Sequence, residues 1–569
     1  MFKKTEDGQG DLFTNIIGQL GSRKQKLLED PNSWHNVFYK EVYQRINESP
    51  YSVLYHNSTG RPNSSVRQII SMMILKEGHG WSDEQLFERC RFDIKVLLAL
   101  GNSNFDDSIP TESTYYEFRK LLETHNKTRK EDLLKATFAS ITSSQVKDLE
   151  IGGKKIRMDS KLINSNIATS NRLYLIIEAL RVFIKSHIVD SASLELESCL
   201  QDILEALRSK TTSNILYSLN GEKKKEILLK LGILIKCLLD QAKGSQEPSY
   251  CLLTRVYKEQ YKEQNADGEC DGGEESEDQD QKPLLKKPKE ISTSSIQSIH
   301  DPEAAYRVKG HGKSKQKVTG YHANVTESCD PKDPVNLIVD VEVVPANISE
   351  DRFLETSIKK SESIFQKAHQ TQAKQIEEVI TDGGYDSIEN RKQRSKEENA
   401  IWKIAKTKGS KNVYEIEKEG KDGYKVKHIS TQSECKIAYS SKSEKYIIHN
   451  PNGTKRYMKK EELENYIIRQ KIEANSDQES YNLRANAEST INQTFHRLKN
   501  NGKMIYRGQI KCSWYVISRA LWVNMIRIKA KKVLNDLFYY ILTTCALVKY
   551  LTNLNRYNSF SHIENSSKL

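Results

Sequence analysis

Asp382 ends a short apolar run in EEVITDGGYDS, and two glycines follow at once. Val379 and Ile380 bounded by glycine read as a buried strand that stops abruptly. A carboxylate at that point costs desolvation energy unless something pairs with it. Asp382 could also be a plain turn residue, because Asp-Gly is a common turn dipeptide. A second carboxylate, Asp159, lies in KKIRMDSKLINSN. Ile156 and Met158 share one side of the strand predicted there, and Asp159 points to the other. If the two strands are neighbours, their carboxylates meet at one edge and raise each other's pKa by repulsion. A hard divalent cation such as Mg²⁺, which prefers oxygen ligands, relieves that repulsion. A third group stands in YNLRANAESTINQTFHRL, where Tyr481, Arg484 and Glu488 fall on one helix face. Arg484 and Glu488 could equally be an ordinary surface ion pair.

The residues after Glu488 suggest what such a site would act on. From Ser489 to Asn535 the chain carries no acid and ten bases, among them Arg497, Lys499, Lys529, Lys531 and Lys532. Tyr506, Trp514, Tyr515 and Trp522 are interleaved with them. Bases among aromatics suit a phosphate backbone, although Trp514 and Trp522 also read as core. The formal net charge of the 569-residue chain is +12, despite eight acids and no base between Asp267 and Asp280. That sign favours a polyanionic partner, nucleic acid before an anionic membrane. No C-x-x-C pair occurs among the nine cysteines, so neither a zinc ribbon nor a disulfide framework is indicated. The N-terminus lacks the apolar stretch of a signal peptide, and Leu537 to Val548 is too short to span a bilayer and reads as a buried helix. A cytoplasmic protein is expected.

The elements that must position these residues follow from periodicity. Residues 30–145 are helix-rich, with capping patterns at Ser82/Gln85 and at Thr114/Glu117, the latter helix exposing Arg119 and Lys120. Short helices of this kind suit a helix-turn-helix DNA reader or an ordinary bundle. The strand with Asp159 comes next, then helices over 171–263 and an acidic, structureless stretch to about 298. KQKVTGYHANVTE and VNLIVDVEVVPAN read as strands, DRFLETSIKKSESIFQKA as an amphipathic helix. The strand ending at Asp382, a polar helix and the strand AIWKIAK complete an α/β layer fold. Residues 407–475 form a β-rich insertion, and the chain is helical from Asp477.

With these motifs in order, the sequence resembles the DDE transposases of bacterial insertion sequences, over about residues 50–550. RMDSKLINSN matches the segment of the first Asp, and VITDGGYDS that of the second. DPEAAYRVKGHGKSKQKVTGYHANV and LIVDVEVVPANISED match the strands between. The family's third-acid signature has Tyr, Arg, Glu and Lys at fixed spacing. Tyr481, Arg484 and Glu488 fit it, whereas position 495 is Phe, with Arg497 and Lys499 the nearest cations. The resemblance implies an RNase H-like catalytic core with an N-terminal helical DNA-binding domain (1–150) and a β-rich insertion (407–475). The first core strand falls in 151–170, a helical insertion and acidic loop in 171–300, and the Asp382 region in 301–406. The Glu488 helices fall in 476–552, and a tail in 553–569.

The resemblance further implies a transposase that binds the terminal inverted repeats of its element and catalyses cleavage and strand transfer. Asp159, Asp382 and Glu488 would hold two Mg²⁺ ions, for which Mn²⁺ can substitute. Tyr481 and Arg484 would position the phosphate, and Lys529, Lys531 and Lys532 would contact DNA. The partners implied are double-stranded terminal-repeat and target DNA and a second copy of the chain in the DNA complex. Such a protein would be nucleoid-associated when bound, with no membrane partner. Trp402 reads either as core of the strand after Asp382 or as a platform for a displaced base. The rival functions are a metal-dependent nuclease of the same fold and a catalytically inactive DNA-binding descendant.

Overall fold

A computed structural model describes residues 1–5, 17–56, 62–102, 104, 109–168, 171–186, 197–218, 224–264, 282–310, 312, 315–396, 400–404, 412–420, 423–498 and 502–565, with side chains to residue 538. Seven helices come first: α1 (Ser22–Glu29), α2 (Trp34–Glu41), α3 (Val66–His79), α4 (Asp83–Phe92), α5 (Ile94–Ala99), α6 (Glu112–Arg129) and α7 (Leu133–Asp148). Ser82 and Gln85 form the expected capping box on α4. On α6 the cap is Thr111 and not Thr114, because Thr111 follows Pro110 in an extended conformation and accepts from the Thr114 amide. Arg119 is also not displayed to solvent as expected; its guanidinium lies over the rings of Tyr115 and Tyr506.

The main sheet is built around β1 (Lys155–Asn164). On one side it pairs antiparallel with β5 (Gln316–Ser328), whose far edge takes β4 (Ala305–Lys309) and then β6 (Ile338–Pro345). On the other side β1 runs parallel to β7 (Glu378–Thr381), and β7 parallel to β8 (Ile401–Ile404). The order β6-β5-β1-β7-β8 thus makes a mixed sheet. Ile156 stands opposite Val379, so the strands of Asp159 and Asp382 are the neighbours that the sequence required. One face packs Ile156, Met158, Val379, Trp402 and Ile404 against α13 (Leu354–His369). The other packs Ile163, Tyr321, Val325 and Val341 against the N-terminal helices and α17 (Gln509–Asn565). α3 is buried on most sides because α17 lies along it. The first helices are therefore a bundle continuous with the core on this face of the main sheet. α14 (Ile388–Arg394) links β7 to β8.

Two insertions carry cores of their own. Between β1 and β4 stand α8 (Arg172–Ser186), α9 (Ser198–Ser209), α10 (Thr212–Ser218), α11 (Lys224–Gln241) and α12 (Pro248–Gln260). They pack around Ile176, Leu180, Leu231, Ile235 and Leu253, beside the hairpin of β2 (Tyr261–Gln264) and β3 (Lys282–Leu285). The acidic residues 267–280 lie outside the described residues. The stretch that follows them, expected to be structureless to 298, instead forms β3 and buries Ile296. Leu285 and Ile296 are apolar enough to anchor it on that core. The second insertion is an antiparallel meander of β9 (Tyr414–Glu419), β10 (Gly423–His428), β11 (Glu434–Ser440), β12 (Lys445–His449) and β13 (Lys455–Met458). α15 (Lys460–Ala474) contributes Leu463 to its core. α16 (Gln478–Phe495) then returns the chain to the main sheet.

The buried helix expected over Leu537–Val548 is not buried where it can be described. Leu537 and Phe538 are exposed, because the packed part of α17 ends near Ile528. No helix among the described residues is long and apolar enough to cross a membrane.

Candidate active site

Three elements deliver three acids to one guanidinium. Asp159 sits midway along β1, and its Oδ1 accepts from the Ser160 amide at 2.9 Å. Asp382 follows the last residue of β7 and caps the turn Gly383–Tyr385, its Oδ1 accepting from the Gly384 amide at 2.8 Å. Asp382 is therefore a turn residue, and the oxygen that does not make the turn is left toward Arg484. Arg484, on α16, reaches Asp159 Oδ2 at 3.5 Å and Asp382 Oδ2 at 3.6 Å through the same nitrogen, Nη2. Its Nη1 donates to Glu488 Oε1 at 3.1 Å. Asp477 caps α16 through the Ser480 amide and starts the helix at a register that turns Arg484 and Glu488 to the strand ends.

Exposure grades the three acids. The Asp159 side chain is 14% exposed, Asp382 34% and Glu488 75%, so the site opens from a buried floor to a solvent rim. Burial pushes Asp159 up to about 6, with Asp382 and Glu350 adding repulsion against the pull of Arg484 and the Ser160 amide. An aspartate so disposed takes up charge most readily beside a cation.

Glu350, which the motifs did not mark, stands beside this group. It lies just before α13, bonds Lys309 Nζ at 3.0 Å, and packs on Gly384 so closely that any Cβ there would overlap its Oε2. His322 on β5 lies behind it. Its Nδ1 donates to the Ile348 carbonyl at 2.8 Å, leaving Nε2 to accept from the Ser160 hydroxyl at 3.0 Å. Burial lowers His322 to about 4, so the ring is neutral at pH 7. No sequence motif singles out Glu350; its closeness to Gly384, the second residue after Asp382, is what brings it to the site.

Among the described residues no group of three His, Cys, Asp or Glu side chains stands together as a ready cation cage. The three acids are instead joined through Arg484. Their chemistry still suits a hard cation: Asp159 and Asp382 each keep one oxygen free of backbone donors, and both oxygens meet at one point. A bound ion and the guanidinium would compete for the same oxygens.

The remaining expected contacts divide. Tyr481 is exposed on α16, and Arg497 is exposed beyond its end. Lys499 lies outside the described residues. Several of the ten bases serve the fold: Arg519 donates to the carbonyls of Gly78 and Thr494, Lys511 pairs with Glu123, and Lys532 pairs with Glu41 at 2.7 Å. Lys529 and Lys531 are half-buried. Trp514 and Trp522 are core, as their alternative reading held. Trp402 is 2% exposed, stands opposite Val379 and donates through Nε1 to Thr381 Oγ1 at 2.9 Å. An enclosed ring with a satisfied N–H has no face to offer a base, so the platform reading gives way to the packing one.

Residues 26–121 match a family model described as a transposase domain, DUF772. The match covers the helical N-terminal region from α1 into α6 and supports a transposase family. No curated protein and no solved structure matches the chain.

Proposed function

We propose that this protein is a DDE-type transposase that binds the terminal inverted repeats of an insertion sequence and catalyses DNA cleavage and strand transfer at Asp159, Asp382 and Glu488. The observation that carries the reading is the convergence of all three acids, 106 or more residues apart along the chain or on different elements, on the single side chain Arg484. The strand order β6-β5-β1-β7-β8, with β5 antiparallel and β7 and β8 parallel to β1, supports an RNase H-like core. The transposase-domain match in the N-terminal helices supports DNA as the substrate.

In this reading Asp159, Asp382 and Glu488 would hold Mg²⁺, which when bound would supply Lewis acidity at the scissile phosphate. The Ser160 and Gly384 amides orient the two aspartates, each directing its Oδ2 to the centre. Arg484 suppresses repulsion between the acids before substrate arrives, and a DNA phosphate offers it an alternative bidentate partner. Tyr481, exposed on the same helix, would contact the DNA strand that Arg484 clamps.

The test is a strand-transfer assay using duplex DNA taken from both flanks of the coding sequence. Cleavage at a repeat end followed by joining of the 3′-end to a target supports the transposase. Cleavage without joining supports the nuclease, and binding with neither supports the inactive descendant.

A further inference from the structure

We propose that Glu327 is a positioning residue that fixes α16, and with it Glu488 and Arg484, against the strand of Asp159. The inference rests on the active-site reading above. Glu327 is 1% exposed on β5, directly across from Arg157 in the antiparallel register with β1. Its Oε1 accepts from Arg157 Nε at 2.7 Å and from the Thr490 hydroxyl at 2.7 Å. Its Oε2 accepts from Arg527 Nη1 at 2.7 Å. One carboxylate thus ties together β1, α16 and α17.

Two of its three partners border a site residue. Arg157 precedes Asp159 by two positions, and its Nη1 donates to the carbonyl of Leu483, the neighbour of Arg484, at 2.7 Å. Thr490 follows Glu488 by two positions, and Arg527 also bonds its hydroxyl. Glu488 itself is mostly exposed, and among the described residues the one ion pair it makes is to Arg484 on its own helix. Its location is therefore set by where α16 sits. The β5–β6 register shifts between Thr326 and Glu327, where Val339 of β6 is left without a partner, whereas Glu327 keeps its regular pairing with Arg157 on β1. A purely structural role would need only that the buried Arg157 and the half-buried Arg527 be neutralised. The three hydrogen bonds to separate elements specify an orientation as well.

The test compares Glu327→Gln, Thr490→Val and Asp159→Asn with the wild-type full chain. Mn²⁺ binding is measured directly by electron paramagnetic resonance without DNA, and nicking of the flank duplex is measured in single turnover. Glu327→Gln keeps the shape and removes the charge; Thr490→Val removes the hydroxyl's bonds to Glu327 and to Arg527 and spares the ion pairs of Glu327 with Arg157 and Arg527. Loss of an outer partner of ligating residues typically costs about 10–100-fold in metal affinity or rate. We expect losses of that order for Glu327→Gln and a smaller loss in the same direction for Thr490→Val, with duplex affinity unchanged within about twofold of wild type. The inference is overturned if both variants only lower the melting temperature while their folded fractions bind Mn²⁺ and nick as wild type does. If Asp159→Asn abolishes both activities in that case, the active-site reading stands and the positioning role alone fails. If Asp159→Asn leaves Mn²⁺ binding and nicking intact, the active-site reading falls and this inference with it.

Discussion

Replacing Asp159 by Asn should make the protein more stable and less active, and the stability gain should depend on pH. Asp159 is buried on β1, and burial with two neighbouring acids raises it to about 6. A folded-state value above the ordinary aspartate value means that the native protein holds the proton more tightly than the unfolded chain. Stability from this group is thus complete below about pH 4 and is lost as pH rises through about 6. The rise corresponds to about 3 kcal/mol of destabilisation at pH 8 in the absence of metal. Asn is neutral throughout and keeps the acceptor for the Ser160 amide, so the variant should recover up to that amount at pH 8. The gain is reduced to the extent that Arg484, which keeps Asp382 and Glu488, loses a partner. Denaturant titrations of both proteins in EDTA, followed by tryptophan fluorescence at pH 4.5 and pH 8, measure the effect. The curves should nearly coincide at the lower pH and separate at the higher, while metal-dependent nicking disappears. A variant less stable than wild type at pH 8, or a difference independent of pH, would refute the claim that Asp159 is held at an electrostatic cost.

Other residues separate site from scaffold. Trp402→Ala should cost about 3–5 kcal/mol through loss of a buried indole, with no defect confined to one DNA step in the protein that stays folded. Thermal unfolding and stepwise DNA assays on that variant check it. Gly384→Ala forces a Cβ into Glu350 and against Asp382 Oδ1, so nicking should fall by about 100-fold from a misplaced carboxylate, read in single turnover while circular dichroism stays native. Lys529→Gln with Lys531→Gln should weaken duplex binding and flatten its salt dependence by about 2 in the logarithmic slope. Adding Lys532→Gln should instead mainly reduce stability, because Lys532 is paired with the buried Glu41.

The parts of the site that local pattern could reveal were those set by short-range rules. A strand that ends in Asp-Gly-Gly, a strand carrying an Asp opposite its apolar side, and a helix face with Tyr, Arg and Glu are all visible in a few residues. That β1 and β7 are neighbours followed from requiring the two aspartates to meet; their parallel sense is seen only in the fold. Glu350, His322 and Glu327 were not legible, because each gains its meaning from elements brought to it by the fold: β4 and the turn after β7 for Glu350, β1 for His322, and β1, α16 and α17 for Glu327. Glu327 becomes a hub only when Arg157, Thr490 and Arg527 fold onto it. The basic run after Glu488 misled for a related reason: composition counts charges, whereas Arg519, Lys511 and Lys532 are already spent on carbonyls and carboxylates of the fold. The Thr111 cap was missed because Thr114 and Glu117 offered the same spacing one turn later.

The central claim is that the carboxylates gathered on Arg484 cut DNA with a bound metal. The most direct measurement is cleavage of the flank duplex by wild type and by Asp382→Asn, with and without Mg²⁺, alongside duplex binding by both proteins. The account predicts cleavage by wild type only when Mg²⁺ is present, and none by Asp382→Asn, with binding within about twofold of wild type as expected when phosphate contacts are untouched. Metal-independent cleavage, or an Asp382→Asn protein that cuts as wild type does, would contradict it.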